Sequence, residues 1–221
     1  MPDFAPLWLT CKLAFVTTAI LLVIGTPIAW WLSRTRSRLK IPVEALTALP
    51  LVLPPTVLGF YLLLLMNPTA PLGSFWLSLT GDSLTFSFSG LVVASVIYSL
   101  PFMVHPLATA FDAVGRAPLE AAASLGASPL DTFFSVVVPQ SARGFLSALV
   151  LTFVHTIGEF GVVLMVGGNI PGETRVISIA IYEQVETLNY ADAHVLSLTL
   201  VAFALVALII TYSFGGRRHV G

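Results

Sequence analysis

The sequence predicts an all-α integral membrane protein: five transmembrane helices and, on the cytoplasmic side, a short helical hairpin. Three observations lead there. Of the 221 residues, 57% are hydrophobic and only 10% charged, whereas a soluble domain carries about 25% charged residues. Five apolar runs, at about 13–32, 45–66, 87–111, 145–166 and 195–214, are long enough to cross a hydrocarbon core about 30 Å thick. Between the third and fourth lies the longest central stretch that a bilayer would refuse, Gly115 to Asp131, and its punctuation is that of helix, tight turn, helix. The whole chain, 1–221, reads as one transmembrane domain.

Composition also excludes several functions. A net charge of −1, with no basic cluster interleaved with aromatics, gives no basis for a nucleic-acid partner. Cys11 is the only cysteine, so neither an internal disulfide nor a thiolate metal site is expected. The two lysines, Lys12 and Lys40, stand in no Gly-rich phosphate loop. The chain is therefore not expected to hydrolyse ATP itself, nor to hold a cofactor, a metal or a catalytic residue.

The first run, 13–32, is too long for the apolar part of a signal peptide and no small-residue cleavage site follows it. Trp30 and Trp31 close it where an interfacial aromatic belt belongs, and Arg34, Arg36, Arg38 and Lys40 follow as a cytoplasmic anchor. The second run, 45–66, contains Pro50, Pro54, Pro55 and Gly59. Adjacent prolines remove two backbone donors and crowd the preceding turn, so the helix must break there. Broken backbone at membrane depth survives only where protein or a wet cavity satisfies it. Pro54, Pro55, Thr56 and Gly59 are thus expected either to line a pathway or to pack against a sister helix. Residues 67–85 carry one Asp and no Lys or Arg, which suits an external loop.

The third run, 87–111, holds His105 between Pro101 and Pro106, and a hydrogen-bonded histidine is expected there rather than a proton relay. In the island that follows, Pro118 suits a helix start, and Glu120 then lies near the positive helix end. Gly126 suits a left-handed close, and Ser128 with Asp131 forms the next capping-box pattern. The fourth run, 145–166, places His155 and Glu159 four residues apart on one helix face. Residues 173–192 read as an external amphipathic helix, with Ile177, Ile181, Val185 and Leu188 on its apolar side. The fifth run, 195–214, precedes Arg217 and Arg218. With the N-terminus outside and the C-terminus in the cytoplasm, eight of the ten cations fall on the cytoplasmic side, and only Lys12 and Arg175 fall outside.

Glu120-Ala121-Ala122, Gly126 six residues after Glu120, and Val136-Val137-Val138-Pro139 resemble the EAA loop of ABC importer permeases, with valines where Ile and Leu are usual. The stretches from Leu49 to Gly59, from His155 to Gly172 and from Thr174 to Glu183 are similar to the molybdate permeases of that family, with sulfate permeases the nearest relatives to confuse with them. The resemblance implies a type I ABC importer transmembrane domain in a bacterial cytoplasmic (inner) membrane. It implies a homodimer around the translocation pathway, an external binding protein, and an ATP-binding subunit that holds ATP-Mg. Glu120, Ala121, Ala122, Gly126 and Pro139 are the expected coupling residues, and molybdate or tungstate the expected cargo. A different class, a proton-coupled transporter working through His155 and Glu159, is the competing expectation, with a membrane anchor that transports nothing behind it.

Overall fold

The computed structural model describes residues 4–215, and among them only helices and their connections occur. Arg217 and Arg218, counted above as cytoplasmic cations, lie outside the described residues. Three helices, Ala5–Arg34, Phe88–Val114 and Tyr190–Ile209, are each long and apolar enough to cross a membrane, and the count rises to five if each of two bent helix pairs is one span.

Helix α1 (Ala5–Arg34) begins eight residues before the predicted run, with Pro6 in its first turn. At about 1.5 Å per residue its 30 residues exceed the hydrocarbon thickness, and the added turns lengthen its N-terminal end. There Lys12 lies 4.4 Å above the ring of Phe88. The predicted second span is instead two helices, α2 (Lys40–Val52) and α3 (Pro55–Met66), bent by 113°. Leu53 and Pro54 are both extended, with ψ of 136° and 134°, because each precedes a proline that disfavours the helical region. The expected external loop contains a helix of its own, α4 (Pro71–Thr80).

Helix α5 (Phe88–Val114) is capped by Ser87, whose hydroxyl accepts from the Gly90 amide, and it packs along α1 as the central pair. Gly25 permits their approach, since a β-carbon there would meet Met103 Cγ at 2.8 Å. Leu21, Met103, Leu107 and Phe111 fill the seam and are fully buried. His105 departs from expectation: its Nε2 is buried without a hydrogen-bond partner.

The hairpin comprises α6 (Ala117–Ser124), α7 (Pro129–Thr132), a π-helical segment (Phe133–Val137) and α8 (Val138–Gln140). A bend of 75° then leads into α9 (Ala142–Ile157), which packs on both α1 and α5. The predicted fourth span does not run on unbroken. It stops at Ile157 and resumes as α10 (Gly161–Gly167), with Glu159 in the gap. The amphipathic segment shortens to α11 (Ile177–Glu186), and α12 (Tyr190–Gly215) begins before the predicted 195. The buried face of α11 is Ile177, Ile179 and Ala180, while Val185 and Leu188 are exposed. Its orientation is set by the first turn, where the Ile177 amide donates to Thr10 Oγ1 at 2.8 Å and Ser178 donates to the Glu159 carbonyl.

Candidate functional site

Two places carry the residues singled out in the sequence: the hairpin between α5 and α9, and a cavity where α3, α5 and the α9–α10 break meet. In the hairpin, the turn after α6 is closed by two backbone bonds, Gly126 N–H to Ala123 C=O and Ala127 N–H to Ala122 C=O. This paired closure requires a left-handed residue, and Gly126 has φ +82°. Pro118 occupies the second helical residue rather than the first, and Glu120 is exposed in the first turn. Ser128 accepts from the Asp131 amide at 3.2 Å, but the reciprocal half of a capping box is not made. The Asp131 carboxylate accepts from Ser135 instead, at 2.8 Å.

The alanine run does not present one face. Ala121 and Ala123 are exposed, whereas Ala122 turns inward and is 9% exposed. What projects from the hairpin is apolar and was not foreseen: Leu125 is 88% and Leu130 72% exposed. The signal was present in a leucine on each side of the Gly126 turn. Pro139, exposed in α8, has no amide proton for the carbonyl four residues back. Just ahead of it the chain takes a wider π turn, with the Val138 amide donating to Phe133 C=O.

The second place is a cavity of about 530 Å³ lined by Pro55, Thr56, Tyr98, His155, Glu159 and Gly161, among others. Of the four residues expected at a pathway, Pro55 and Thr56 reach it. Pro54 forms the extended turn, and Gly59 is buried against α10, where a β-carbon would meet Met165 Cβ at 2.7 Å. Gly161 closes the other side, since a β-carbon there would lie 2.9 Å from Pro55 Cβ. The starts of α3 and α10 therefore abut at the cavity wall.

Behind this wall Glu159 is 3% exposed, and its carboxylate accepts from Ser95 at 2.5 Å and from Ser99 at 2.7 Å. His155 and Glu159 face each other as the spacing predicts, within ion-pair range but beyond hydrogen-bond distance. His155 Nδ1 and Glu159 Oε1 are 3.6 Å apart, and Ser99 Oγ bridges them, 2.9 Å from His155 Nδ1. Ser99 has one proton; given to Glu159, it leaves the oxygen to accept, which makes Nδ1–H the donor on the histidine side. Thr156 Oγ1 also lies 2.9 Å from Ser99 and donates to the Thr152 carbonyl at 3.0 Å. The imidazole stacks on Phe102 with ring centroids 3.8 Å apart and leans on Tyr98. Ser95 and Ser99, four apart on α5, escaped the sequence reading because serines in an apolar helix have many uses. No group of three or more His, Cys, Asp or Glu residues that could hold a metal occurs among the described residues.

Comparison with known proteins places these features in a family. Residues 22–219 match the family of binding-protein-dependent transport system inner membrane components. The chain is 57% identical over 211 residues to the molybdenum transport system permease protein ModB of Azotobacter vinelandii, covering 96% of this chain and 93% of that one. It is 32% identical to ModB of Escherichia coli K12, covering 95% and 92%. It is 34% identical to the sulfate transport system permease protein CysT of a Synechocystis strain, covering 89% and 69%. Among solved structures, a chain of the MetNI methionine ABC transporter superposes with a TM-score of 0.72 at 19% identity, covering 94% of this chain and 91% of that one. That likeness concerns the fold alone, which is the transmembrane fold of an ABC importer. The chain belongs to the inner membrane components of binding-protein-dependent transport systems.

Proposed function

We propose that this chain is the permease subunit of an ATP-driven importer of molybdate or tungstate, working as a homodimer around the anion path. The observation that carries the reading is the identity with the Azotobacter molybdenum permease over nearly the full length of both chains. The proposed orientation puts the N-terminus outside and the hairpin in the cytoplasm, where an ATPase subunit holding ATP-Mg would bind it. An external binding protein delivers the anion from the other side. Glu120, Ala121, Ala122 and Gly126 build the docking turn and Leu125 and Leu130 are its apolar tip, while Pro139 sets the return leg.

The pathway role is proposed for Pro55 and Thr56, with Pro54 shaping their turn and Gly59 holding α3 to α10. Backbone amides and the Thr56 hydroxyl are the donors suited to a tetrahedral dianion in a span without a central arginine. The Ser95 and Ser99 hydroxyls account for the two Glu159 oxygens, which favours a fixed structural carboxylate over a proton carrier. The test is uptake by liposomes holding the permease, its ATPase subunit and the binding protein, with molybdate, tungstate or sulfate as cargo. ATP-dependent molybdate or tungstate uptake is expected. Uptake of sulfate alone, or proton-driven uptake by the permease alone, would overturn the reading.

A further inference from the structure

Arg34 stands in the sequence as the first of four clustered cations, and the structure gives it partners that the next two lack among the described residues. Arg36 and Arg38 are exposed. Arg34 instead turns back from the end of α1 to the end of α5, where Nη2 donates to Phe111 C=O at 3.0 Å and Nη1 to Gly115 C=O at 3.1 Å. The last carbonyls of a helix lack intrahelical donors, and that end carries partial negative charge, so a cation there meets both needs. A guanidinium can bridge two such carbonyls as a planar fork, which a lysine ammonium cannot reproduce.

The same guanidinium lies 4.7 Å over the ring of Trp30. Trp30, expected in an interfacial belt, is half-buried and packs on two phenylalanines. It meets Phe111 edge-on at 5.5 Å and Phe133 at 5.3 Å between ring centroids. Phe111 is fully buried and also touches Phe145 of α9, at 5.6 Å. Both roots of the hairpin thus rest on one turn of α1. The outgoing leg leaves from Gly115, whose carbonyl Arg34 holds, and the returning leg passes through Phe133, which Trp30 holds. Gly115 itself has φ +71° and ψ −168°, a conformation confined almost wholly to glycine, so the outgoing root is a fixed corner. A displacement of the hairpin must move the end of α1 or break these contacts.

We propose that Arg34, seated on Trp30, is the positioning residue that transmits movement of the coupling hairpin into α1 and α5. This rests on the reading of that hairpin as the ATPase contact. The variants are Arg34→Gln, Arg34→Lys and Trp30→Leu, all in α1 and none in the hairpin itself; Trp30 shares a cavity wall with Leu130, so the two arginine variants carry the test. Each is reconstituted with the ATPase subunit and the molybdate-loaded binding protein. Assembled complex, ATP hydrolysis and molybdate uptake are measured on one preparation. Assembly and hydrolysis should persist in all three. The ATP consumed per anion should rise about three- to thirtyfold in Arg34→Gln and Trp30→Leu, with Arg34→Lys between them and wild type. An unchanged ratio in these variants would overturn the inference. So would a fall in hydrolysis and uptake that merely follows the amount of assembled complex, since Arg34 would then only support folding. A wild-type complex without ATP-driven uptake would remove the importer reading itself, a result distinguishable from coupled variants beside a coupled wild type.

Discussion

Ser95 of α5 donates a hydrogen bond to the Glu159 carboxylate at 2.5 Å, from the first third of one helix into the gap of another. With Ser99 making the second bond at 2.7 Å, a carboxylate at membrane depth is what fixes the α9–α10 break to α5. Removing the acceptor takes a partner from both buried serines and leaves Ser95 without one, whereas Ser99 keeps His155 and Thr156; removing one donor leaves the other bond in place. Glu159→Leu should therefore lower the melting temperature of the purified permease more than either Ser95→Ala or Ser99→Ala. Hydrogen bonds between membrane helices are worth about 0.6 kcal/mol on average and up to about 1.7, so each serine variant should fall within that range. Equal melting of Glu159→Leu and wild type would show that the carboxylate holds nothing.

Gly161 and Pro55 define the contact of the two helix starts at the cavity. A β-carbon at Gly161 would stand 2.9 Å from Pro55 Cβ, with a proline ring that cannot rotate away. Overpacking of this kind costs about 1–3 kcal/mol. Gly161→Val should part α3 from α10 and reduce uptake while leaving the hairpin and its partner contact intact. Gly158→Ala, three residues earlier, has room at 3.6 Å and serves as the control. Similar uptake in the two variants would remove Pro55 and Gly161 from the pathway wall.

How far the sequence reached can be judged at individual residues. Pro54-Pro55 announced a break because proline chemistry is local, and Gly126 announced a positive φ for the same reason. The size of the bend, 113°, is not local: it depends on where α3 finds α10, through Gly59 and Met165. The gap at Glu159 was equally hidden. Residues 145–166 are apolar enough to read as one span, and the opening is held by contacts distant in sequence, Ser95 and Ser99 on the Glu159 carboxylate and Ser178 on its carbonyl. The further contacts of Trp30 and Arg34, on Phe111, Phe133 and the Gly115 carbonyl, were not legible from an aromatic belt and a cationic anchor. Periodicity cannot say that the end of α1 lies against the end of α5.

Orientation is testable by side-specific labelling. In a Cys11→Ala background, an impermeant maleimide added from outside should modify a cysteine placed at Asp82, near the exposed end of α4, and not one placed at Arg36. The expectation follows from the excess of cations on the hairpin side. Labelling at Arg36 with protection at Asp82 would invert the topology and take the hairpin away from ATP.

The hairpin offers the sharpest test, because its turn geometry and its exposed surface can be altered separately. Nothing lies within 4 Å of a β-carbon built at Gly126, so Gly126→Ala meets no neighbour and acts only through φ +82°. A left-handed non-glycine residue costs about 1–2 kcal/mol. The turn should relieve this by shifting α7 relative to α6, and with it the tip. Gly126→Asn, which tolerates the left-handed region better, should be milder. Leu125→Ser and Leu130→Ser leave the backbone alone and remove only the apolar tip. Glu120→Lys places a cation at a positive helix end and should weaken association in the same direction. Pull-down of the ATPase subunit on solubilised permease should rank wild type first, Gly126→Asn next, and Gly126→Ala, Glu120→Lys and the leucine variants below. Membrane insertion and melting temperature should stay near wild type for Leu125→Ser, since that side chain is 88% exposed. If all five variants capture the subunit as wild type does, the hairpin is a surface feature and the ATPase docks elsewhere. If the glycine variants bind normally and only the leucine variants fail, the tip carries recognition without needing the turn's exact set.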